Sequence, residues 1–332
     1  MSMVANNIRL AVVAIGRNEG DRLKLCLASA LADGLANTVV YVDSGSTDSS
    51  VEFARKLGCQ VVELDMSIPF TAARARNEGF ARAWQCCPGL THVQFVDGDC
   101  ELMPGWQQAA LGFLEQHPDV VAVCGRRQER NPQNSIYNQL CDIEWNTPVG
   151  EAKSFGGDVL VRADALLAAG GYRANLIAGE EPELCVRLRA AGWRIWRLDH
   201  AMTLHDAAMS RFGQWWNRSK RAGYAFAEGA ALHGAPPEWH WVRESRSGLL
   251  WGAGVPAVVL LMTASVGFWA LTLLLIYPLQ VLRLYWRRRN SVPRAGWYAT
   301  FLVLGKVPEV LGQFKFLLDR MLGKRATLIE YK

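Results

Sequence analysis

Residues 91–102 read THVQFVDGDCEL, and the reading of the fold turns on them. His92 to Val96 is an apolar run of strand length, and Asp97-Gly98-Asp99 stands at its carboxyl end. Two carboxylates at i and i+2 with glycine between them can converge on one hard divalent cation, or divide between a cation and a ribose. Asp-Gly is also ordinary turn chemistry, so the tripeptide alone leaves both readings open.

On either side the chain alternates short apolar runs with helical patterns. Ile8 to Ile15 predicts a buried strand, Asp21 to Leu31 an amphipathic helix, and Val39 to Val42 a second strand. Thr47 or Asp48 is placed to cap a helix that runs to Leu57 and ends at Gly58. Val61 to Leu64 predicts a third strand, Ala72 to Trp84 a helix, Trp106 to Gln116 a helix and Val120 to Val123 a fifth strand. This rhythm predicts an α/β fold, a mostly parallel sheet with helices on both faces. Ligands of such sheets bind beyond the carboxyl ends of the strands. Arg17-Asn18-Glu19, Asp43-Ser44-Gly45-Ser46 and Asp97-Gly98-Asp99 all fall at such ends. Past residue 126 the pattern is less regular. Phe155-Gly156-Gly157-Asp158 precedes a strand, Val159 to Val161, and a short helix to Ala169. Glu183 to Ala191 predicts a helix with Pro182 in its first turn and Gly192 at its end, and the stretch from Arg211 to Gly234 looks helical.

The 332 residues allow two domains of about 150 residues, or one α/β domain with an appendage. Half are hydrophobic and a fifth charged, which excludes a disordered chain. A mean hydropathy near zero excludes a polytopic membrane protein but leaves room for one apolar block. That block is 247–282, 36 residues without Asp, Glu, Lys, Arg or His. One span needs about 20, so the run is long for one and short for two. A single span would separate Arg287-Arg288-Arg289 from the body, against the positive-inside rule. A hairpin turning near Ser265-Val266-Gly267, transmembrane or re-entrant, keeps both ends on one side; a buried hairpin of a soluble protein is the competing reading. Trp297 to Leu322 has the mixed pattern of an amphipathic helix on a membrane surface. The net charge of +5 is concentrated in 283–332, where eleven Lys/Arg face three Asp/Glu. A near-neutral body with a basic tail points to membrane lipids and away from nucleic acid. The eight cysteines form no Cys-x-x-Cys pair and read as core residues of a reducing cytosol. The N-terminus has neither a basic start nor a long apolar run, so no signal peptide is expected.

VVAIGRNEG, VVYVDSGSTDSS, ARARNEGFARA, VQFVDGDCEL and AGEEPELCVRLRAAGW follow one another in the order and at about the spacing seen in family 2 glycosyltransferases of the GT-A fold. Region 8–206 as a whole resembles that family. The resemblance implies a nucleotide-sugar-binding half over 8–125 and an acceptor half over 126–245; the hydropathy and charge pattern adds a hairpin over 246–289 and a basic juxtamembrane tail over 290–332. It implies nucleotide-sugar binding by Glu19, Asp43, Arg76, Asp97 and Asp99, although Ser44 stands where a second Asp is frequent. Mn²⁺ or Mg²⁺ would be held by Asp97, Asp99 and His205, with His200 close enough to compete for the last place. Glu181, beside Glu180, takes the position of the family's general base with a side chain one methylene longer. A carboxylate at a helix N-terminus is favoured in its ionised form, as a base must be, and is also an ordinary cap. The resemblance implies transfer with inversion, and the apolar block brings the site to lipid headgroups, so the expected reaction moves one sugar to a lipid-linked or polyprenyl-phosphate acceptor. It would occur at the cytoplasmic face of the inner membrane, in surface-glycan or exopolysaccharide synthesis. A soluble or protein acceptor is the alternative.

Gln214-Trp215-Trp216-Asn217-Arg218 resembles the Gln-x-x-Arg-Trp signature of processive polysaccharide synthases, but Arg is one position late and no Trp follows. Trp215 and Trp216 are placed to line an acceptor groove or sit at a lipid interface, while Arg218 and Arg221 read as solvated helix-surface residues. A dinucleotide-dependent oxidoreductase would need G-x-G-x-x-G after the first strand, where IGRNEG stands. A non-catalytic membrane scaffold is the remaining competitor, and Asp97, Asp99 and Glu181 speak against it.

Overall fold

The computed structural model describes residues 8–324 and 327–330, so the N-terminal stretch read for a signal peptide lies largely outside the described residues. The elements run β1 (Leu10–Gly16), α1 (Asp21–Ala32), β2 (Ala36–Asp43), α2 (Ser50–Lys56), β3 (Gln60–Glu63), α3 (Ala72–Cys86), β4 (His92–Asp97), β5 (Cys100–Leu102), α4 (Trp106–Gln116) and β6 (Val120–Glu129). They continue through α5 (Ile136–Trp145), β7 (Gly150–Glu151), β8 (Val159–Arg162), α6 (Ala163–Ala168), α7 (Glu180–Ala190) and β9 (Arg194–His205). The chain divides into two compact units. One comprises Met1–Pro132, Glu144–Leu176 and Glu180–Ala207; the other comprises Gln133–Ile143, Ile177–Gly179 and Ala208–Lys332.

The first unit holds a nine-stranded sheet in the order β3-β2-β1-β4-β8-β6-β9-β5, with β7 on β9. The parallel pairing expected from the βα rhythm holds across β3-β2-β1-β4 and again between β6 and β9. Between them β8 is antiparallel to both neighbours, and β5 and β7 pair antiparallel with β9, so the sheet is mixed. Leu10 to Ala14 of β1 are wholly buried, as a central strand covered on both faces requires. The core also holds a polar pair: Trp106 Nε1 donates to Gln94 Oε1 at 2.8 Å, and Gln94 Nε2 donates to Phe95 O at 2.6 Å. The indole and amide therefore enter the interior with their polar atoms partnered.

Three departures from the sequence reading have local causes. Helix α2 begins at Ser50, because Asp48 is occupied earlier: Oδ1 accepts from Ser50 N and Oδ2 from Gly20 N. Helix α7 begins at Glu180, with Pro182 still in the first turn, where a missing N–H costs no helical hydrogen bond. Strand β9, with Arg194, Arg197 and Asp199 in it, was not expected; only the pairing with β6 and β5 makes it a strand.

In the second unit, α8 (Phe212–His233) matches the expected helix. Then α9 (Val242–Leu249), a π-helical turn (Leu250–Gly254) and α10 (Val255–Val266) form one continuous run. The chain reverses at Gly267, φ +84°, and returns through a 3-10 segment (Phe268–Leu275) and α11 (Ile276–Arg288). Val242–Val266, 25 residues, and Phe268–Arg288, 21 residues, are long and apolar enough to cross a membrane, by length and composition. Phe268 and Trp269 at the reversal are 81% and 83% exposed. Beyond lie two helices where one was expected, α12 (Ala295–Leu304) and α13 (Lys306–Met321), divided at Gly305. Helix α13 buries Val310, Gln313 and Phe316, and Phe316 meets Tyr224 of α8 edge to face.

Helix α3 lies on β1 and β2 at Gly79, where a Cβ would come 2.3 Å from Val13 Cγ1 and 2.8 Å from Val42 Cγ2. Gly112 of α4, by contrast, has nothing within 4 Å of that position. Gly79→Ala is therefore expected to destabilise the fold by about 1–3 kcal/mol through overpacking. Gly112→Ala should stabilise it by about 0.5–1 kcal/mol through helix propensity. Thermal unfolding of the two purified variants should move in opposite directions; a shift of the same sign would contradict the close approach.

Candidate active site

The parallel strands bring three polar segments to one edge of the sheet. Asp43, at the end of β2, is 3% exposed; its Oδ1 accepts from Tyr41 Oη at 2.8 Å and its Oδ2 from Gly45 N and Ser46 N at 2.9 and 2.8 Å. The carboxylate thus shapes the loop that follows it. Glu19, past the end of β1, pairs with Arg22 at 2.7 Å and packs its stem over Gly98.

Past β4 the charges form a knot. The guanidinium of Arg76, on α3, is 2% exposed. It reaches Asp97 Oδ1 at 2.9 Å, Glu180 Oε1 at 2.9 Å and Glu181 Oε1 at 3.1 Å, with the Tyr172 ring 5.5 Å away. Asp97 also meets Arg127 at 3.2 Å through Oδ2, and its backbone N–H donates to Asp158 Oδ1 at 3.0 Å. Asp158, wholly buried, accepts in turn from Thr203 Oγ1 at 2.7 Å. A Cβ on Gly157 would lie 2.7 Å from both Arg76 Nη2 and Asp97 Oδ2, so this loop approaches the pair as closely as only glycine permits.

Two of the three acidic partners of Arg76, Asp97 and Glu181, are shifted in opposite directions. Burial opposes ionisation of Asp97, yet Arg76 and Arg127 hold its carboxyl below the usual range. Glu181 is pushed up to about 7 by burial and by the neighbouring Glu180 carboxylate, against the pull of Arg76. The helix N-terminus, expected to keep Glu181 ionised, is outweighed by these two effects.

A second group lies two residues further along. Asp99 is 5% exposed, and its Oδ2 is 3.3 Å from His205 Nε2. The other ring nitrogen of His205, Nδ1, faces Glu129 Oε2 at 3.5 Å. Glu129 is buried and held by Ala207 N at 3.0 Å and Asn131 N at 3.1 Å. Strand register creates this row: on β9, His205 stands opposite Cys100 of β5 on one side and Glu129 of β6 on the other. Trp145 closes it, edge-on to His205 at 4.6 Å, with Arg127 over its face at 4.9 Å.

Ligand atoms of Asp99, Cys100 and His205 lie within 4.8 Å of one another, as do those of Asp97, Cys100 and Asp158. Burial and the surrounding carboxylates raise the Cys100 thiol well above its ordinary value, which disfavours its thiolate form. The carboxylate of Asp99 with the imidazole of His205 is the donor set that fits a hard or borderline divalent ion such as Mn²⁺. A carboxylate behind the second imidazole nitrogen is the arrangement that fixes the tautomer of a metal-binding histidine.

The structure thus brings Arg76, Asp97, Glu180 and Glu181 together, and Asp99 with His205. Of the two histidines, His205 is the one beside Asp99; His200 lies next to Trp106, its Nδ1 paired with Ala201 O. Asp43 and Glu19 occupy neighbouring strand ends with partners of their own. Trp215, in the second unit, is 6% exposed and packs edge-on against Phe301. Arg127, Glu129, Trp145 and Asp158 were not singled out as site residues. Only Asp158 carried a local signal, the two glycines before it; Glu129, in the charged run RRQER, looks solvated until β6 pairs with β9.

Residues 12–160 match the model of glycosyl transferase family 2. The succinoglycan biosynthesis protein ExoA of Rhizobium meliloti (strain 1021) is 29% identical over 170 residues, 48% of this chain and 51% of that protein. The chain therefore spans about half the length of the curated relative it matches. Among solved structures, the mannosyltransferase PcManGT from Pyrobaculum calidifontis, in complex with GDP-Man and Mn²⁺, superposes with a TM-score of 0.65. The identity is 18%, covering 95% of this chain and 89% of that one. S. aureus TarS 1-349 gives a TM-score of 0.51 at 14% identity, over 96% and 92% of the two chains. Similarities at these identities speak to the fold, and the family match speaks to the sequence that builds the edge around Asp97 and Asp99. Residues 12–160 are thus similar to glycosyl transferase family 2, and the chain has the GT-A fold.

Proposed function

We propose that the chain moves one sugar, with inversion, from a nucleotide-sugar donor to a lipid-linked or polyprenyl-phosphate acceptor in exopolysaccharide or other surface-glycan synthesis. The observation that carries this reading is the pairing of two acidic groups at one sheet edge: Asp99 with His205, and Asp97 with Glu181 across Arg76. The likeness to the succinoglycan protein ExoA supports exopolysaccharide as the product class, and the GDP-Man and Mn²⁺ in PcManGT support the donor and ion classes.

In this reading Asp43 and the loop it organises receive the nucleotide base, and Glu19 lines the same pocket. Mn²⁺ or Mg²⁺ on Asp99 and His205 would neutralise the departing nucleoside diphosphate. Asp97, clamped by Arg76 and Arg127, presents a fixed carboxylate to the donor sugar. Glu181 accepts the proton of an attacking hydroxyl; a pKa near the working pH suits a base. A phosphate acceptor is already ionised and makes no such demand.

The hairpin supports a membrane-borne acceptor. From Ser247 to Val266, 20 residues of helix extend about 30 Å, the thickness of a bilayer's hydrocarbon core. Arg287 to Arg289 close the returning arm, and by the positive-inside rule they support a hairpin with both ends on the cytoplasmic side of the inner membrane.

Asp99→Asn should abolish Mn²⁺-dependent nucleotide binding with an unchanged circular dichroism spectrum. Glu129→Gln should weaken Mn²⁺ binding about 10- to 100-fold while leaving metal-free nucleotide binding alone. Titration of Mn²⁺ followed by electron paramagnetic resonance tests both, and wild-type affinity in either variant removes that residue from the ion's surroundings.

With a hydroxyl acceptor, kcat/KM should rise with pH through about 7 as Glu181 loses its proton, because a base acts only in its deprotonated form. Glu181→Gln should keep donor affinity and lose both the rise and most of the rate. Full activity in that variant would point to a phosphate acceptor or to another base.

A reporter fused after Lys332 should be cytoplasmic in cells. Periplasmic activity of the fusion would defeat the hairpin topology.

A further inference from the structure

Helices α11 and α12 enclose an open groove of about 1080 Å³ that none of the site residues lines. Its wall on α11 is Pro278, Val281, Leu282 and Tyr285, spaced i, i+3, i+4 and i+7 on one helix face. Arg289 continues that face one turn further, and its guanidinium lies 4.0 Å from the ring centre of Trp286. The opposite wall is low, built from Ala295, Gly296 and Thr300 with Trp297 at the side, and Arg294 stands at the same end as Arg289. The groove therefore grades from hydrocarbon at Pro278 to two cations about 16 Å along the helix. That is about half the hydrocarbon thickness of a bilayer, or one leaflet.

The charge around it is one-signed. Between Glu244 and Glu309 the sequence has no Asp or Glu, against six Arg and one Lys. Among the described residues neither Arg289 nor Arg294 has a carboxylate partner, unlike Arg76, Arg127 and Arg187 of the other unit. A hydrocarbon trough one leaflet long, ending in two unneutralised guanidiniums and flanked by tryptophans, is complementary to a single anionic lipid.

We propose that this groove binds an anionic glycerophospholipid, with the phosphate on Arg289 and Arg294 and an acyl chain along Tyr285, Leu282, Val281 and Pro278. The assignment rests on the reading that the hairpin enters a membrane. It adds a lipid site separate from the one that would take the acceptor. The bound lipid anchors α11 to α12 at the membrane surface and makes the second unit's stability depend on lipid charge.

The test uses the full chain in detergent, titrated with phosphatidylglycerol and read by native mass spectrometry. One lipid should bind saturably. Arg289→Gln with Arg294→Gln should weaken it about thirtyfold, two surface cations' worth. Arg287→Gln with Arg288→Gln removes the same charge outside the groove and should leave it nearly unchanged. Equal losses in the two double variants would mean diffuse attraction and overturn the site. Displacement of phosphatidylglycerol by equimolar undecaprenyl phosphate would overturn it in favour of an acceptor-lipid groove. Flotation with neutral phosphatidylcholine vesicles is the separate control. If the wild type does not float, the hairpin reading fails and the groove with it; if it floats but binds no phosphatidylglycerol saturably, only the groove fails.

Discussion

The first unit's chemistry depends on one buried cation. Arg76 brings a guanidinium into the interior and surrounds it with Asp97, Glu180 and Glu181, drawn from β4 and from the first turn of α7. Removing either sign from such a cluster would leave charge stranded in a medium that solvates it poorly. Three ionised carboxylates around one cation would still repel each other. The cluster lowers that cost in two ways: Arg127 shares Asp97, and Glu181 retains affinity for a proton up to about pH 7. The raised proton affinity of Glu181 thus comes from its own burial beside Glu180, against the pull of Arg76.

The second constraint is the register of β9. It crosses the sheet between β6 and β5, and its last residue, His205, is flanked by Glu129 and by the strand that follows Asp99. A slip of one residue would turn His205 to the other face of the sheet and separate it from both carboxylates. The long pairing with β6 and the irregularities within it set that register, so the site's second half is held by backbone hydrogen bonds rather than by a flexible loop. The second unit is organised on different principles. Charge is excluded from the hairpin arms and collected at their base, and acidic residues are absent from the whole segment between Glu244 and Glu309.

Much of this was legible in the chain. Apart from β5, which was not expected, the strands and helices from β1 to α4 fell close to their expected bounds, because short apolar runs, amphipathic periods and punctuating glycines are local signals. The helix Trp106–Gln116 agrees end to end. The reversal at Gly267 was readable for the same reason, in the middle of an uncharged block. The mixed direction of the sheet was not, since nothing in Val159–Arg162 states which way its neighbours run.

The sequence by itself determined the element order, the acidic residues at the strand ends and the apolar segment, because each is written within a few neighbouring residues. Only the tertiary structure decided that Arg76 binds carboxylates from 21 and 104 residues away, that Glu129 is buried behind His205, and that His205 rather than His200 meets Asp99. Those outcomes depend on strand register and on burial, which raise or lower the cost of a charge according to partners far away in the chain. A residue that looks solvated in a run of arginines becomes a buried hydrogen-bond acceptor only when two strands, 76 positions apart, lie side by side.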